Sequence, residues 1–250
     1  MGLRNIAVIP ARYASQRFPG KLMELLQDQT IIKTTYDAVL ATQLFDEVLV
    51  ATDHDLIFAH LKDLGCAVIK STQPYECGSD RIAAAVAERE VDIVVNVQGD
   101  EPFIDRDSLA ALLAVFEQDP AGEIDLASLK TPLANEEELQ NPNVVKVITD
   151  QRDCALYFSR SPIPYNRAQD PSVKAFRHIG VYAFRKQALL DFSTQAQTPL
   201  EKAEQIECIR HLEYGKKIKM VTTLHRGIGI DTPEDLLKAR AYLSSQKKDA

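Results

Sequence analysis

Short aliphatic and β-branched runs alternate with longer stretches of helical spacing along the first part of the chain. The runs at 6–9, 46–52 (DEVLVAT), 66–70 and 92–97 (DIVVNV) are nearly continuous in apolar character. Strands buried on both faces of a parallel sheet read this way. Amphipathic stretches at 31–44, 55–64 and 80–90 fall between them. This βαβαβ order predicts an α/β fold, a doubly wound and mostly parallel sheet with right-handed crossovers. Past Pro102 the rhythm changes. A helix is predicted over 107–118, then strands over 124–132, 144–149, 155–159 and 178–184. Pro162, Pro164 and Pro171 mark a loop before the last of these. A further helix is predicted over 200–213, with Leu200, Ala203, Ile206 and Leu212 facing the core and Glu204, Glu207, Cys208 and His211 on a polar stripe. A strand over 218–223 precedes the closing helix. That helix opens on Thr232-Pro233-Glu234-Asp235: a capping threonine, a proline at the first helical position and acids in the first turn. No internal repeat is visible, and only 244–250 reads as a disordered tail.

A chain of 250 residues can bury one large core. The expectation is therefore a single domain over 1–250, with a strand-rich lobe at about 124–185. The formal charge of −7 argues against a broad affinity for nucleic acid or anionic lipid, so an anionic ligand needs a local basic pocket. Cys66, Cys77, Cys154 and Cys208 form no CxxC pair, and no HExxH stands beside them; the sequence gives no support for a zinc site. With dispersed thiols, no secretory leader pattern and a first apolar run too short to span a bilayer, a soluble cytoplasmic protein is expected.

Ligands of an open α/β sheet bind beyond the carboxyl ends of its strands, which singles out three segments. The first, Pro10-Ala11-Arg12-Tyr13-Ala14-Ser15-Gln16-Arg17-Phe18-Pro19-Gly20-Lys21, places three cations in a loop directly after the first strand. A triphosphate needs such a cradle. The GxxxxGK[ST] spacing of a P-loop is absent, and a solvated basic loop is the plainer alternative. The second, Asn96-Val97-Gln98-Gly99-Asp100-Glu101-Pro102, puts Asp100 at a strand exit. There it could hold magnesium, a hard cation suited to one or two carboxylates plus phosphates, or simply close an Asx-type turn. In the third, Gly229-Ile230-Asp231-Thr232-Pro233-Glu234-Asp235, Thr232 already fills the capping role. Asp231 is then either a second cap or a second carboxylate facing Asp100.

The segments IPARYASQRFPGK, NVQGDEP, YFSRSPIPY and GIDTPEDL together resemble the 3-deoxy-manno-octulosonate cytidylyltransferases, the CMP-Kdo synthetases of lipopolysaccharide assembly. The resemblance runs from residue 6 to about 241. It implies a Rossmann-like nucleotidyltransferase fold whose strand-rich lobe serves sugar binding and the interface of a homodimer. It also implies transfer of CMP from CTP to the anomeric hydroxyl of 3-deoxy-manno-octulosonate (Kdo), with release of pyrophosphate. Carried onto this sequence, Lys21, Asp100 and Asp231 become the catalytic residues, with Asp100 and Asp231 holding Mg²⁺. Arg12, Ser15 and Lys21 fall on the CTP side, Arg81 and Gln98 around the cytidine and sugar, and Arg160, His178, Tyr182 and Glu207 on the sugar side. No nucleic acid and no stable membrane association is implied. Three positions depart from the family pattern: Tyr75 and Cys77 stand where histidine and serine are usual, and Cys208 stands where glutamine is usual. A thiol is a much weaker hydrogen-bond partner than an amide. An amino variant of Kdo, a sialic acid, or a non-catalytic role in binding nucleotide sugars therefore remain alternatives. Retention of Arg12, Lys21, Asp100 and Asp231 favours the enzyme.

Overall fold

The computed structural model describes residues 2–14, 17–71, 75 and 78–246; Ser15 and Cys77 lie outside the described residues. The chain divides into two compact units, one running up to Arg106 and resuming at Gly227, the other spanning Asp107–Arg226. Among the described residues no helix is long and apolar enough to cross a membrane.

In the first unit, strand β1 (Asn5–Ala11) is buried from Ile6 onward. A 3₁₀ turn, Lys21–Met23, and a two-stranded hairpin of β2 (Leu25–Leu26) and β3 (Gln29–Thr30) lead into α1 (Ile31–Ala41). Thr30 caps that helix by accepting from the Lys33 backbone N–H. β4 (Glu47–Thr52), α2 (Asp55–Asp63), β5 (Val68–Lys70), α3 (Gly78–Val86) and β6 (Ile93–Asn96) follow. The strands lie in the order β6–β1–β4–β5, all parallel. Their unbroken apolar runs are what this arrangement demands, since helices cover both faces of such a sheet. The chain winds outward from β1 to β5 and then returns to β1's other side as β6. That reversal between β1 and β6 is the switch point at which open α/β sheets leave a crevice. The closing helix, Pro233–Gln246, belongs to this unit and continues through Ser244 and Ser245, where a tail is expected from sequence; residues 247–250 lie outside the described residues. Thr232 and Asp235 cap its start reciprocally. The Asp235 N–H donates to Thr232 Oγ1 at 3.2 Å, while Asp235 Oδ2 accepts from the Thr232 N–H at 3.1 Å.

The second unit begins within α4 (Arg106–Glu117) and contains β7 (Leu126–Pro132), α5 (Glu136–Gln140), β8 (Lys146–Thr149), β9 (Ala155–Ser159), β10 (Phe176–Arg185), α6 (Lys186–Thr194), α7 (Pro199–Glu204), α8 (Cys208–Glu213) and β11 (Ile218–Thr222). β7 pairs with β11 in parallel and with β10 antiparallel; β8 joins β10, and β9 joins β8, both antiparallel. The single helix expected over 200–213 is two. Gln205 turns into the left-handed region (φ 55°, ψ 46°) and ends α7, so the two halves present different faces. Leu200, expected in the core, is 44% exposed. Cys208 and His211, expected on a polar stripe, are buried. The reason lies in Arg210. Its guanidinium meets Glu201 through Nε–Oε2 and Nη2–Oε1 at 2.8 and 2.6 Å, donates to the Phe192 and Gln195 carbonyls, and lies 4.0 Å over the Phe192 ring. Both partners are buried, so α8 is rolled inward about this pair.

Candidate active site

The carboxyl ends of β1 and β6 open onto a cleft of about 470 Å³ lined by Pro10, Arg12, Arg17, Lys21, Gln98 and Asp100, with Asp231 at its side. The loop after β1 folds back tightly. The Gly20 N–H donates to the Tyr13 carbonyl at 3.0 Å, and the Met23 N–H donates to the Gly20 carbonyl at 2.8 Å. Gly20 has φ +71°, and a Cβ there would lie 3.1 Å from the Tyr13 ring; a side chain is therefore disfavoured by both conformation and space. This fold-back makes Lys21 the first residue of the 3₁₀ turn and points it inward. Tyr13 in turn stacks on His54 at 4.1 Å with the rings nearly parallel, fixing the loop to the exit of β4.

The turn after β6 is equally constrained. A Cβ on Gly99 would approach the Pro10 carbonyl at 3.3 Å and the Ile32 side chain at 3.1 Å, and Thr35 Oγ1 donates to the Gly99 carbonyl at 2.9 Å. Glycine lets the turn sit against β1 and deliver Asp100 to the cleft. The third segment reaches the same place through one backbone bond, Ile230 N–H to the Asp100 carbonyl at 2.9 Å. Asp100 and Asp231, far apart in sequence, thereby converge. Lys21 Nζ donates to Asp100 Oδ2 and, at 2.9 Å, to Asp231 Oδ1, while Arg17 Nη2 lies 2.9 Å from Asp231 Oδ2. Burial, the largest single influence on Lys21, pulls its pKa down. The charge of Asp100 and the hydrogen bonds to both carboxylates outweigh it and hold the ammonium above its ordinary value. Lys21 is a fixed cation between two acids.

Arg12 lines the cleft from an exposed position. Gln98 lines it too, its Nε2 lying 3.4 Å from Asn96 Oδ1. Arg81 sits on α3, nearly buried, and pairs with Asp53 at 2.5 Å; its Nε has no partner among the described residues. Asn96 is fully buried, with an Nδ2 that likewise has none. Asp53 and Asn96 are polar groups that the sequence alone does not reveal. Asp53 stands just ahead of the amphipathic stretch at 55–64, and Asn96 within an otherwise apolar strand run.

The sugar-side positions implied by the resemblance belong to the second unit. β10 carries a register shift between Ile179 and Tyr182, and Ser128 on β7 fills it, donating to the Val181 carbonyl at 2.9 Å. His178 Nε2 lies 2.8 Å from Ser128 Oγ, and its ring packs edge-on against Phe158 and tilted against Tyr182. Burial, helped by Arg177, depresses the His178 pKa to about 3, so the imidazole is neutral near pH 7 and bonds as a dipole, not as a cation. Cys208 is buried and shares a hydrogen bond with Tyr182; burial and then the Glu207 charge push its thiol well above the ordinary range. The second unit thus brings His178, Tyr182 and Cys208 into one chain of neighbours. Arg160 is employed differently: its Nε donates to the Glu204 carbonyl at 2.6 Å and its Nη1 to the Pro142 carbonyl at 2.9 Å, while Glu204 accepts from the Arg160 N–H and the Ser159 hydroxyl. Glu207 stands at the N-cap of α8.

Comparison with known proteins places this geometry in a family context. Residues 6–218 match the cytidylyltransferase family. The 3-deoxy-manno-octulosonate cytidylyltransferase of Christiangramia forsetii is 61% identical over 96% of this chain and 97% of its own length, and that of Flavobacterium johnsoniae 58% over 96% and 99%. A solved structure of CMP:2-keto-3-deoxy-manno-octonic acid synthetase complexed with CTP is 34% identical. It superposes with a TM-score of 0.91, covering 97% of this chain and 99% of that one.

Proposed function

Because the chain belongs to the cytidylyltransferase family, we propose that the cleft between β1 and β6 is where it transfers CMP from CTP to the anomeric hydroxyl of Kdo. The chain is a CTP-dependent nucleotidyltransferase, and its product, CMP-Kdo, serves lipopolysaccharide synthesis. The observation that carries the assignment to this cleft is the convergence of Asp100 and Asp231 beside a basic loop at the sheet's switch point.

The donors there suit magnesium. Two carboxylates close enough to share one ammonium offer hard oxygen ligands, and no group of three or more His, Cys, Asp or Glu able to hold a metal occurs among the described residues. A site of one or two carboxylates whose remaining positions go to substrate phosphates and water is the type that Mg²⁺ prefers. Asp100 and Asp231 would hold the ion, which when bound supplies a Lewis acid that offsets phosphate charge and lowers the pKa of the attacking hydroxyl.

The chain's own residues do the rest. In-line attack of the sugar hydroxyl oxygen on the α-phosphorus makes one P–O bond as the hydroxyl gives up its proton to water, breaks the bond to the oxygen bridging to the β-phosphate and releases pyrophosphate. Arg12, Arg17 and Lys21 neutralise the leaving group, and the loop's fixed geometry means that little reorganisation is needed as charge develops. Ser15, outside the described residues, belongs to this loop. Gln98 and the Asp53-held Arg81 orient the cytidine. The neutral His178, Tyr182, Arg160 and Glu207 are assigned to the sugar acid, Arg160 from a position in which it also holds the Glu204 and Pro142 carbonyls, and the buried Cys208 thiol is a weak hydrogen-bond partner behind Tyr182. A homodimer built on the strand-rich unit and a cytoplasmic location complete the reading.

The test is pyrophosphate release from CTP and Mg²⁺ with a panel of sugar acids. Kdo is expected to give the highest kcat/KM, above its 8-amino analogue and N-acetylneuraminate. Preference for either of the latter would move the substrate assignment, and release with none of them would make the chain a binder rather than a catalyst.

A further inference from the structure

Three of the four carboxylate oxygens that a shared divalent ion could draw on are engaged among the described residues. Lys21 Nζ takes Asp100 Oδ2 and Asp231 Oδ1, one oxygen from each carboxylate, and Arg17 takes the remaining Asp231 oxygen. The two cations are not equivalent. The Lys21 side chain is 11% exposed and sits between the acids, whereas that of Arg17 is 64% exposed and pairs, among the described residues, with Asp231. An ammonium and a divalent ion cannot hold the same oxygen pair at once, because their mutual repulsion at contact distance is large wherever water is scarce.

We infer that Lys21 is a resident counter-cation of the Asp100–Asp231 pair, which the phosphates of a nucleoside triphosphate draw off before the pair takes up a divalent ion. This rests on the reading of the cleft given above. The lysine ammonium rides on a flexible four-carbon stem with rotatable donors, so it can leave the carboxylates for phosphate oxygens in the same cleft without moving the backbone. Before that exchange it keeps two neighbouring acids from repelling each other and closes them to stray cations. After it, the same charge serves the leaving pyrophosphate. Nucleotide and metal are thereby coupled, and linkage requires each to tighten the other by the same factor.

Manganese binding to the full chain without nucleotide, followed by the EPR signal of free Mn²⁺, separates this from a general electrostatic effect. Lys21→Met, which keeps the aliphatic stem, is expected to bind Mn²⁺ about 5-fold or more tightly than wild type, within the usual range of site–site coupling. Lys21→Arg, which can still bridge both carboxylates, is expected to stay as weak as wild type, and Arg17→Met is expected to gain clearly less than Lys21→Met. Lys21→Gln serves if the methionine variant fails to fold. Unchanged or weaker Mn²⁺ binding in Lys21→Met would overturn the inference, as would equal gains in Lys21→Met and Arg17→Met. Asp100→Asn separates the inference from its premise. If it abolishes Mn²⁺ binding while Lys21→Met shows no gain, only the counter-cation role fails. If it leaves Mn²⁺ binding intact, the metal assignment fails as well.

Discussion

Asp100→Asn is expected to fold normally and to turn over CTP and sugar acid at least about 10²-fold more slowly than wild type, the cost typical of losing one charge-stabilising contact in a closed site. The amide keeps the size of the carboxylate and the backbone of the turn, which is set by Gly99 packing and by the Ile230 bond to the Asp100 carbonyl, not by the side chain. What is lost is one negative charge from the pair that holds Lys21. The new amide can still present its Oδ1 to that ammonium, but it brings no charge to the site. Asp231→Asn should act in the same direction. The double variant should be little worse than the slower single one, because the two acids work as a unit. Steady-state pyrophosphate release with far-UV circular dichroism measures both halves of this expectation. Single variants that stay within about three-fold of the wild-type kcat would remove these carboxylates from the charge-stabilising role.

Arg210→Met should destabilise the chain by about 3–5 kcal/mol, the usual cost of removing one partner of a buried ion pair. That is a large share of the roughly 5–15 kcal/mol that holds a typical domain together. Glu201 would be left charged and nearly out of solvent, and the Phe192 and Gln195 carbonyls would lose a donor. The cause is specific enough to rescue. Adding Glu201→Leu removes the stranded charge and should recover much of the loss, since apolar replacement of a whole buried pair is often neutral. Urea unfolding of the three proteins is the measurement. A loss under about 1 kcal/mol in the single variant would mean that the pair is not the hinge about which α7 and α8 pack.

Apolar runs and their spacing were enough to read the parallel strands and helices of the first unit, because strands buried on both faces leave an unmistakable pattern, but not the two-stranded hairpin of β2 and β3 between β1 and α1. The segments that carry Lys21, Asp100 and Asp231 were legible as candidates because they follow a strand or precede a helix at the edge where an α/β sheet places ligands, while the roles of the three residues came from the family resemblance. What periodicity could not show is how such residues meet. The bond from Ile230 to the Asp100 turn joins segments remote in sequence and leaves no local mark. The partnership of Arg81 with Asp53 is hidden likewise, since an aspartate ahead of a helix reads as a capping residue. At 200–213 the helical period runs on across a single left-handed residue, Gln205, so one helix was expected where two exist. The inward roll of Cys208 and His211 follows from a buried salt bridge, and hydrophobic patterning treats both of its members as surface residues.

On the proposed reading, Asp100 and Asp231 share one divalent ion beside the phosphates of CTP. Crystals grown with CTP and Mn²⁺ test it directly, because anomalous scattering locates the ion. A peak is expected about 2 Å from a carboxylate oxygen of each aspartate, with Lys21 turned toward the phosphates. A peak held by phosphates alone, with both aspartates still closed on Lys21, would contradict it.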